Sequence, residues 1–182
     1  MADESIAYLT ATEMAARIRD RSLSPVEVMQ SHLDRIERLN PAINAIVAMS
    51  DTAMEEAKRA ERAVAAGDDL GPLHGVPVTI KDCLDVAGLP ATRGSKVFAD
   101  NFPAADATAV RRLKKTGAIV LGKTNAAEFG LWWETDNLVY GRTVNPWNPD
   151  CIAGGSSGGD AAAVAAGLTP IGLGSDLAGS IR

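Results

Sequence analysis

The chain has 182 residues, enough for one domain with a substantial core. Its apolar fraction of 46% and charged fraction of 23% are ordinary for a soluble globular protein. A net charge of -5, from 18 basic and 23 acidic side chains, gives nucleic acid or an anionic membrane nothing to hold.

Two cysteines, Cys83 and Cys151, lie far apart in sequence, which argues against a disulfide framework and a zinc site and fits a reducing cytoplasm. The opening MADESIAYLT is acidic and lacks the apolar segment of a signal peptide. No stretch approaches the length of a membrane span.

In chain order, Thr10 with Glu13 forms a capping box and predicts a helix over EMAARIRDR. Ser24-Pro25-Val26-Glu27 predicts a second, with Ser24 as N-cap and Pro25 in the first turn. That helix places Val26, Met29, Leu33, Ile36 and Leu39 on one face and is expected to end at Asn40-Pro41. Ala45 to Met49 reads as a short strand, and Asp51 opens a third helix closed by Gly67.

After GDDLGPLHG the pattern changes. Val76 to Ile80 reads as a buried strand ending at Lys81, Thr108 to Thr116 as a helix, and Ala118 to Leu121 as a second buried strand. Asp160 to Ala166 reads as helix and Ile171 to Leu173 as a third strand. Helices alternating with continuously apolar strands predict an α/β fold, a mixed and largely parallel sheet covered on both faces and preceded by N-terminal helices. Residues 1–70 form the helical N-terminal region and 71–182 the start of the α/β core. The chain stops at GSIR, straight after a Gly-rich turn, which reads as an interrupted domain.

Three chemical motifs compete. GAIVLGKT, Gly117 to Thr124, satisfies the phosphate-loop pattern letter for letter. A phosphate cradle needs a strand before the loop and flexible residues within it. Here a helix precedes, and Ala, Ile, Val and Leu favour a buried strand, from which Lys123 is expected to emerge into a loop.

GGSSG, Gly154 to Gly158, fits the nucleophile elbow of α/β-hydrolases. That mechanism needs a histidine downstream, and both histidines, His32 and His74, lie upstream; surface or packing roles suit them better. A serine without a histidine can use a lysine base, provided the amine is desolvated enough to offer its lone pair. Lys81, at the end of VPVTI, suits this, while a surface pairing with Asp82 is the equally weighted alternative.

GPLHGVPVTIKD, LGKTNAAEFG, NPWNPDCIAGGSSGGDAAAVAAG and GSDLAGSIR follow one another in this order. Together they resemble the amidase signature family, over the whole chain. The resemblance implies an amidase that hydrolyses a carboxylic amide through an acyl-serine intermediate. Lys81 would be the base, Ser156 the bridging serine after a cis peptide bond, and Ser180 the nucleophile. The backbone N–H groups of Leu177, Ala178, Gly179 and Ser180 would form the oxyanion hole, with Gly154, Gly155 and Ser157 in the active-site loop.

The resemblance implies no cofactor and no metal, a small-molecule amide as partner, no nucleic acid by itself, no membrane, and a cytoplasmic location; it leaves a homodimer open. Two residues depart from the family's pattern. Ala178 stands where glycine is usual, and would strain the turn if its φ were positive. Asp160 stands where a small residue is usual, and reads as a helix-start charge. Asp176 and Arg182 are expected to orient the turn, and Trp132 and Trp133 to sit in core and rim or at a substrate entrance. Two other readings stay open. One is the glutaminase component of a tRNA-dependent amidotransferase, although GLWWETDNLVYG does not match the Met-Gly-Ser-Ser segment associated with it. The other is a truncated, inactive product.

Overall fold

The computed structural model describes residues 4–182, so the first three residues of the acidic opening segment lie outside it. The N-terminal region comprises α1 (Glu4–Ala7), α2 (Ala11–Arg19), α3 (Pro25–Ile43), β1 (Ile46–Met49) and α4 (Ala53–Ala66). Both predicted capping boxes form: Thr10 and Ser24 each accept from the N3 amide while Glu13 and Glu27 reach back to the cap N–H.

Several boundaries differ from expectation, two of them here with a clear local cause. Pro41 does not end α3, because the helix runs on past it and closes at Asn44, whose φ is 55°. Asn40 explains the sharp exit, since its side chain accepts from the amides of Ala45 and Ile46 and donates to the Ile46 carbonyl. The third helix opens at Ala53, because the Thr52 hydroxyl turns to Glu56 and makes no cap.

β2 (Pro77–Lys81), α5 (Thr108–Lys115), β3 (Ile119–Thr124), α6 (Gly158–Ala165) and β4 (Gly172–Leu173) complete the regular elements, with single 3-10 turns at Lys96–Phe98 and Glu128–Gly130. The sheet order is β1-β3-β2-β4. β2 runs parallel to both β3 and β4, and β1 pairs antiparallel at the edge. One face buries Ile119 and Leu121 under α3, α4 and α6; the other buries Val78, Ile80 and Val120 with Val110 of α5. The fold is therefore the mixed, largely parallel α/β sheet that the alternation of elements predicted. Although β1 lies in the N-terminal region, it is an edge strand of the same sheet.

One irregularity decides where the two strand lysines point. Val78 pairs with Val120 but Thr79 pairs with Gly122, so Leu121 is an extra residue in β3. Side chains alternate along a strand, and one inserted residue moves everything after it to the other face. Lys123 consequently pairs with Ile80 and Lys81 with Thr124. Without the insertion the two lysines would be cross-strand neighbours, where like charges repel. With it they face opposite sides of the sheet.

Candidate active site

Lys81 ends β2 with none of its surface exposed. Its Nζ lies 2.7 Å from Ser156 Oγ, 2.8 Å from Ser157 Oγ, 3.0 Å from Ser175 Oγ and 3.4 Å from the Ser175 carbonyl. Burial draws the amine below the ordinary lysine range, while Cys83, Asp160 and Asp176 pull it back up. No pairing with Asp82 occurs. The Asp82 carboxylate instead accepts from the Thr92 amide and hydroxyl and from the Gly94 amide, holding the 92–94 loop.

The loop that carries the serines is fixed at both ends. Thr135 Oγ1 donates to the Gly154 carbonyl and accepts from the Gly158 amide, each at 2.9 Å. The Ser156 carbonyl accepts from Ala127 N–H, and the peptide bond Gly155–Ser156 is cis. The glycines leave room for protein backbone: a Cβ on Gly155 would lie 2.7 Å from the Trp132 carbonyl oxygen, and one on Gly159 would lie 2.3 Å from that of Asn125. Any larger residue would push the loop off the segments that hold it.

α6 starts at Gly158, two residues before the expected Asp160. Asp160 is accordingly no cap. It is buried in the first turn, and its Oδ1 accepts from Thr124 Oγ1 at 2.8 Å. Lys123 does not emerge into a loop either. Its ammonium is fully buried within β3 and donates to the carbonyls of Asp82, Leu84 and Pro90 at 2.8–3.0 Å. His32 is buried on α3, and His74 meets the Ala60 carbonyl through Nε2.

The last turn is organised by Asp176. Its carboxylate accepts from the amides of Gly179, Ile181 and Arg182 and from the Arg182 guanidinium. The guanidinium bond, with those amides, holds the Asp176 carboxyl far below its usual range. Ala178 stays outside the left-handed region, so the departure from glycine there introduces no strain; of residues 177–180, Gly179 alone turns to positive φ, at 113°. The Gly179 N–H, expected in the oxyanion hole, is committed to Asp176 at 2.7 Å. The amides of Leu177, Ala178 and Ser180 make no hydrogen bond among the described residues.

Lys81 and Ser156 are therefore brought together, with Ser157 beside them. The Ser180 backbone joins the loop through its carbonyl, which accepts from Ser157 N–H, but its hydroxyl makes no hydrogen bond to Ser156. Two residues escape a reading of the sequence alone. Ser175 joins the hydroxyl cluster from the GSDLAGS turn, where its place five residues before Ser180 is the available signal. Thr135, the clamp on the loop, carries no signal in sequence. Trp132 and Trp133 are exposed and stacked with centroids 4.0 Å apart, next to Ser180 in a pocket of about 320 Å³. Among the described residues no group of three or more His, Cys, Asp or Glu is placed to hold a metal ion, and no helix is long and apolar enough to cross a membrane.

A family model described as Amidase matches residues 27–182. The chain belongs to the amidase family. It is similar to an acylamidase from Rhodococcus erythropolis, 49% identical over all of this chain and 38% of that protein. It is also similar to one component of the glutamyl-tRNA(Gln) amidotransferase from Acidothermus cellulolyticus, 45% identical over 95% of this chain and 34% of that one. A solved fatty acid amide hydrolase superposes with a TM-score of 0.92 at 30% identity, covering 98% of this chain and 32% of its own. This amidase-family chain thus spans about a third of the length of the curated relatives it matches.

Proposed function

We propose that this chain carries the base, relay and nucleophile of an amide hydrolase that works through an acyl-serine intermediate. The observation that carries the reading is the buried Lys81 amine 2.7 Å from Ser156 Oγ. An ammonium could not act as a base, so the hydrogen inventory matters. Ser157 Oγ donates its proton to the Ser175 carbonyl, and its oxygen is then an acceptor for Lys81. Ser175 Oγ faces Cys83 Sγ at 3.6 Å and offers Lys81 a second acceptor. A neutral amine has two N–H groups for these two oxygens, the Ser175 carbonyl being a longer contact at 3.4 Å beside Ser175 Oγ, and one lone pair left. Ser156 is the hydroxyl whose proton has no other acceptor among the described residues, and it meets that lone pair.

In this reading Lys81 takes the proton of Ser156 as Ser156 takes that of Ser180, whose oxygen attacks the amide carbonyl. The link between the two hydroxyls closes in the substrate complex, since catalytic hydrogen bonds often tighten only there. The oxyanion is held by the uncommitted amides of Leu177, Ala178 and Ser180; one such donor typically contributes about 10²–10³ in rate. The relay returns the proton to the leaving amine, whose bond to carbon breaks, leaving an ester on Ser180. Water then attacks that ester, giving its proton to the relay. The acyl–Oγ bond breaks, the relay returns the proton to Ser180 Oγ, and the carboxylic product leaves as the carboxylate, losing its own proton to solvent.

Leu131, Trp132, Trp133 and Leu177 surround the pocket beside Ser180, and stacked indoles suit an apolar or aromatic acyl group. A second reading, a glutaminase that passes ammonia to a tRNA-linked substrate, is supported by the 45% identity to the amidotransferase component. Its substrate is polar at the same pocket, so it ranks below.

The test is intact-mass analysis of the whole protein mixed with an aryl-acyl amide and quenched during turnover. An acyl adduct mapping to Ser180 and lost in Ser180→Ala is expected, with turnover reduced about 10⁴-fold or more. Undiminished hydrolysis by Ser180→Ala ends the reading. Glutamine hydrolysis that appears only with partner subunits moves the assignment to the second.

A further inference from the structure

Asp160 has no part in the chemistry described so far, yet it is a carboxyl buried where a charge is expensive. A charge at a helix start gains only modestly even at an exposed position, and burial costs a carboxylate far more than that. Its surroundings account for only half of it. Oδ1 accepts from Thr124 Oγ1, while Oδ2 has no hydrogen-bond partner among the described residues. Among the same residues the Thr79 hydroxyl, buried on β2, has none either. β4 packs against the same carboxyl, for a Cβ on Gly172 would come within 2.7 Å of Oδ1.

The register puts these groups on one side of the sheet. Thr79 and Lys81 alternate to the same face of β2, Thr124 is the cross-strand partner of Lys81, and Gly172 is the partner of Thr79. Asp160 thus sits under the serine loop, on the face that carries Lys81.

We infer that Asp160 is a positioning residue for Lys81, a fixed carboxylate behind the serine loop that sets how firmly the amine keeps its proton. The inference rests on the reading of Lys81 as the base. The charged and titratable groups around the pair are few. Lys81 is faced by Cys83 just beyond its own strand, by Asp176 of the last turn and by Asp160 of α6. Asp160 is faced by Lys81 on its own side of the sheet and feels the charge of Lys123 from the opposite face. Burial pushes the Asp160 carboxyl up to about 6, against the pull of Thr124 and the two lysines. It is therefore ionised at neutral pH and protonates in mild acid. The ionised form favours the Lys81 ammonium, so Asp160 restrains the base and releases it when neutral.

The experiment follows the Lys81 Cε resonance in the whole protein, enriched with ¹³C-lysine and assigned with Lys81→Met, across a pH titration. Asp160→Asn keeps an acceptor for Thr124 and removes the charge. It is expected to lower the Lys81 midpoint by about one pH unit, the small end of what a neighbouring opposite charge does. The acid limb of kcat/KM should move the same way. Asp160→Ser, smaller and also neutral, serves as a second variant should the asparagine be rejected, and Thr124→Val, which removes the hydrogen bond but keeps the charge, should leave the midpoint high. A folded neutral variant whose Lys81 midpoint stays at the wild-type value overturns the inference. The failure of the functional reading looks different: the wild-type Lys81 would then titrate in the ordinary lysine range.

Discussion

Lys81 and Lys123 are both fully buried, sit near the ends of adjacent strands and are drawn down from the ordinary lysine range by burial. Their partners separate them. Lys123 meets three carbonyl oxygens, which only accept, so each needs an N–H and the ammonium supplies all three. Burial brings Lys123 to about 8, which leaves it charged at neutral pH and able to do this. Lys81 meets three hydroxyl oxygens at 2.7–3.0 Å, which can donate as well as accept, and one carbonyl, that of Ser175, at the longer distance of 3.4 Å, so most of its surroundings accommodate a neutral amine. The neighbours of Lys123 require an ammonium, whereas those of Lys81 leave room for the neutral amine that the proposed base needs.

The sharpest way to break this contrast is to replace each lysine by methionine, which has a similar volume and no charge. Lys81→Met is expected to cut turnover by about 10²–10⁴-fold, the usual worth of a general base, with stability changed by under about 1.5 kcal/mol. The serine hydroxyls left behind can satisfy one another. Lys123→Met should do the reverse, since carbonyls cannot pair among themselves. Each orphaned buried acceptor costs about 1–3 kcal/mol, so a loss of about 3 kcal/mol or more is expected in urea unfolding. Equal stability losses in the two variants would show that the partners do not decide the role.

Much of this contrast is legible in sequence, but not its cause. VPVTI places Lys81 at the end of a buried strand, and the two capping boxes, at Thr10 and Ser24, give the helix starts correctly because a cap is a local arrangement of four residues. Lys123 looks equivalent to Lys81 in sequence and is expected in a loop. What separates them is the extra residue at Leu121, which arises from pairing with β2 and has no signature within GAIVLGKT. Asp160 misleads for a similar reason. Its position in a helix's first turn is local information, whereas its contact with Thr124, 36 residues earlier, is set by the sheet. The Thr135 clamp on the glycine loop is likewise non-local. Pro41 shows the opposite failure, a local helix breaker outweighed by the Asn40 and Asn44 contacts that close the last turn.

His32 sharpens the comparison from the other side, as a buried base whose ring nitrogens make no hydrogen bond among the described residues. The backbone of Gly167 and Leu168 lies against the ring, and burial lowers its pKa to about 4. The folded state therefore prefers the neutral ring. Above the unfolded value of about 6.5 that preference costs nothing; as pH falls from 6.5 toward 4 the unfolded chain binds the proton and stability is lost. The loss is about 2 kcal/mol by pH 5 and about 3 below pH 4. Asp160, raised to about 6, acts in the opposite sense, because the folded state binds its proton first and gains stability as pH falls through that value. A wild-type pH profile mixes the two effects, so the measurement is the difference between wild type and His32→Phe in urea midpoints at pH 7 and pH 5. The variant should be the less acid-sensitive by about 2 kcal/mol, with Asp160 common to both and cancelling. A difference that does not change with pH would mean that the ring finds a partner when protonated.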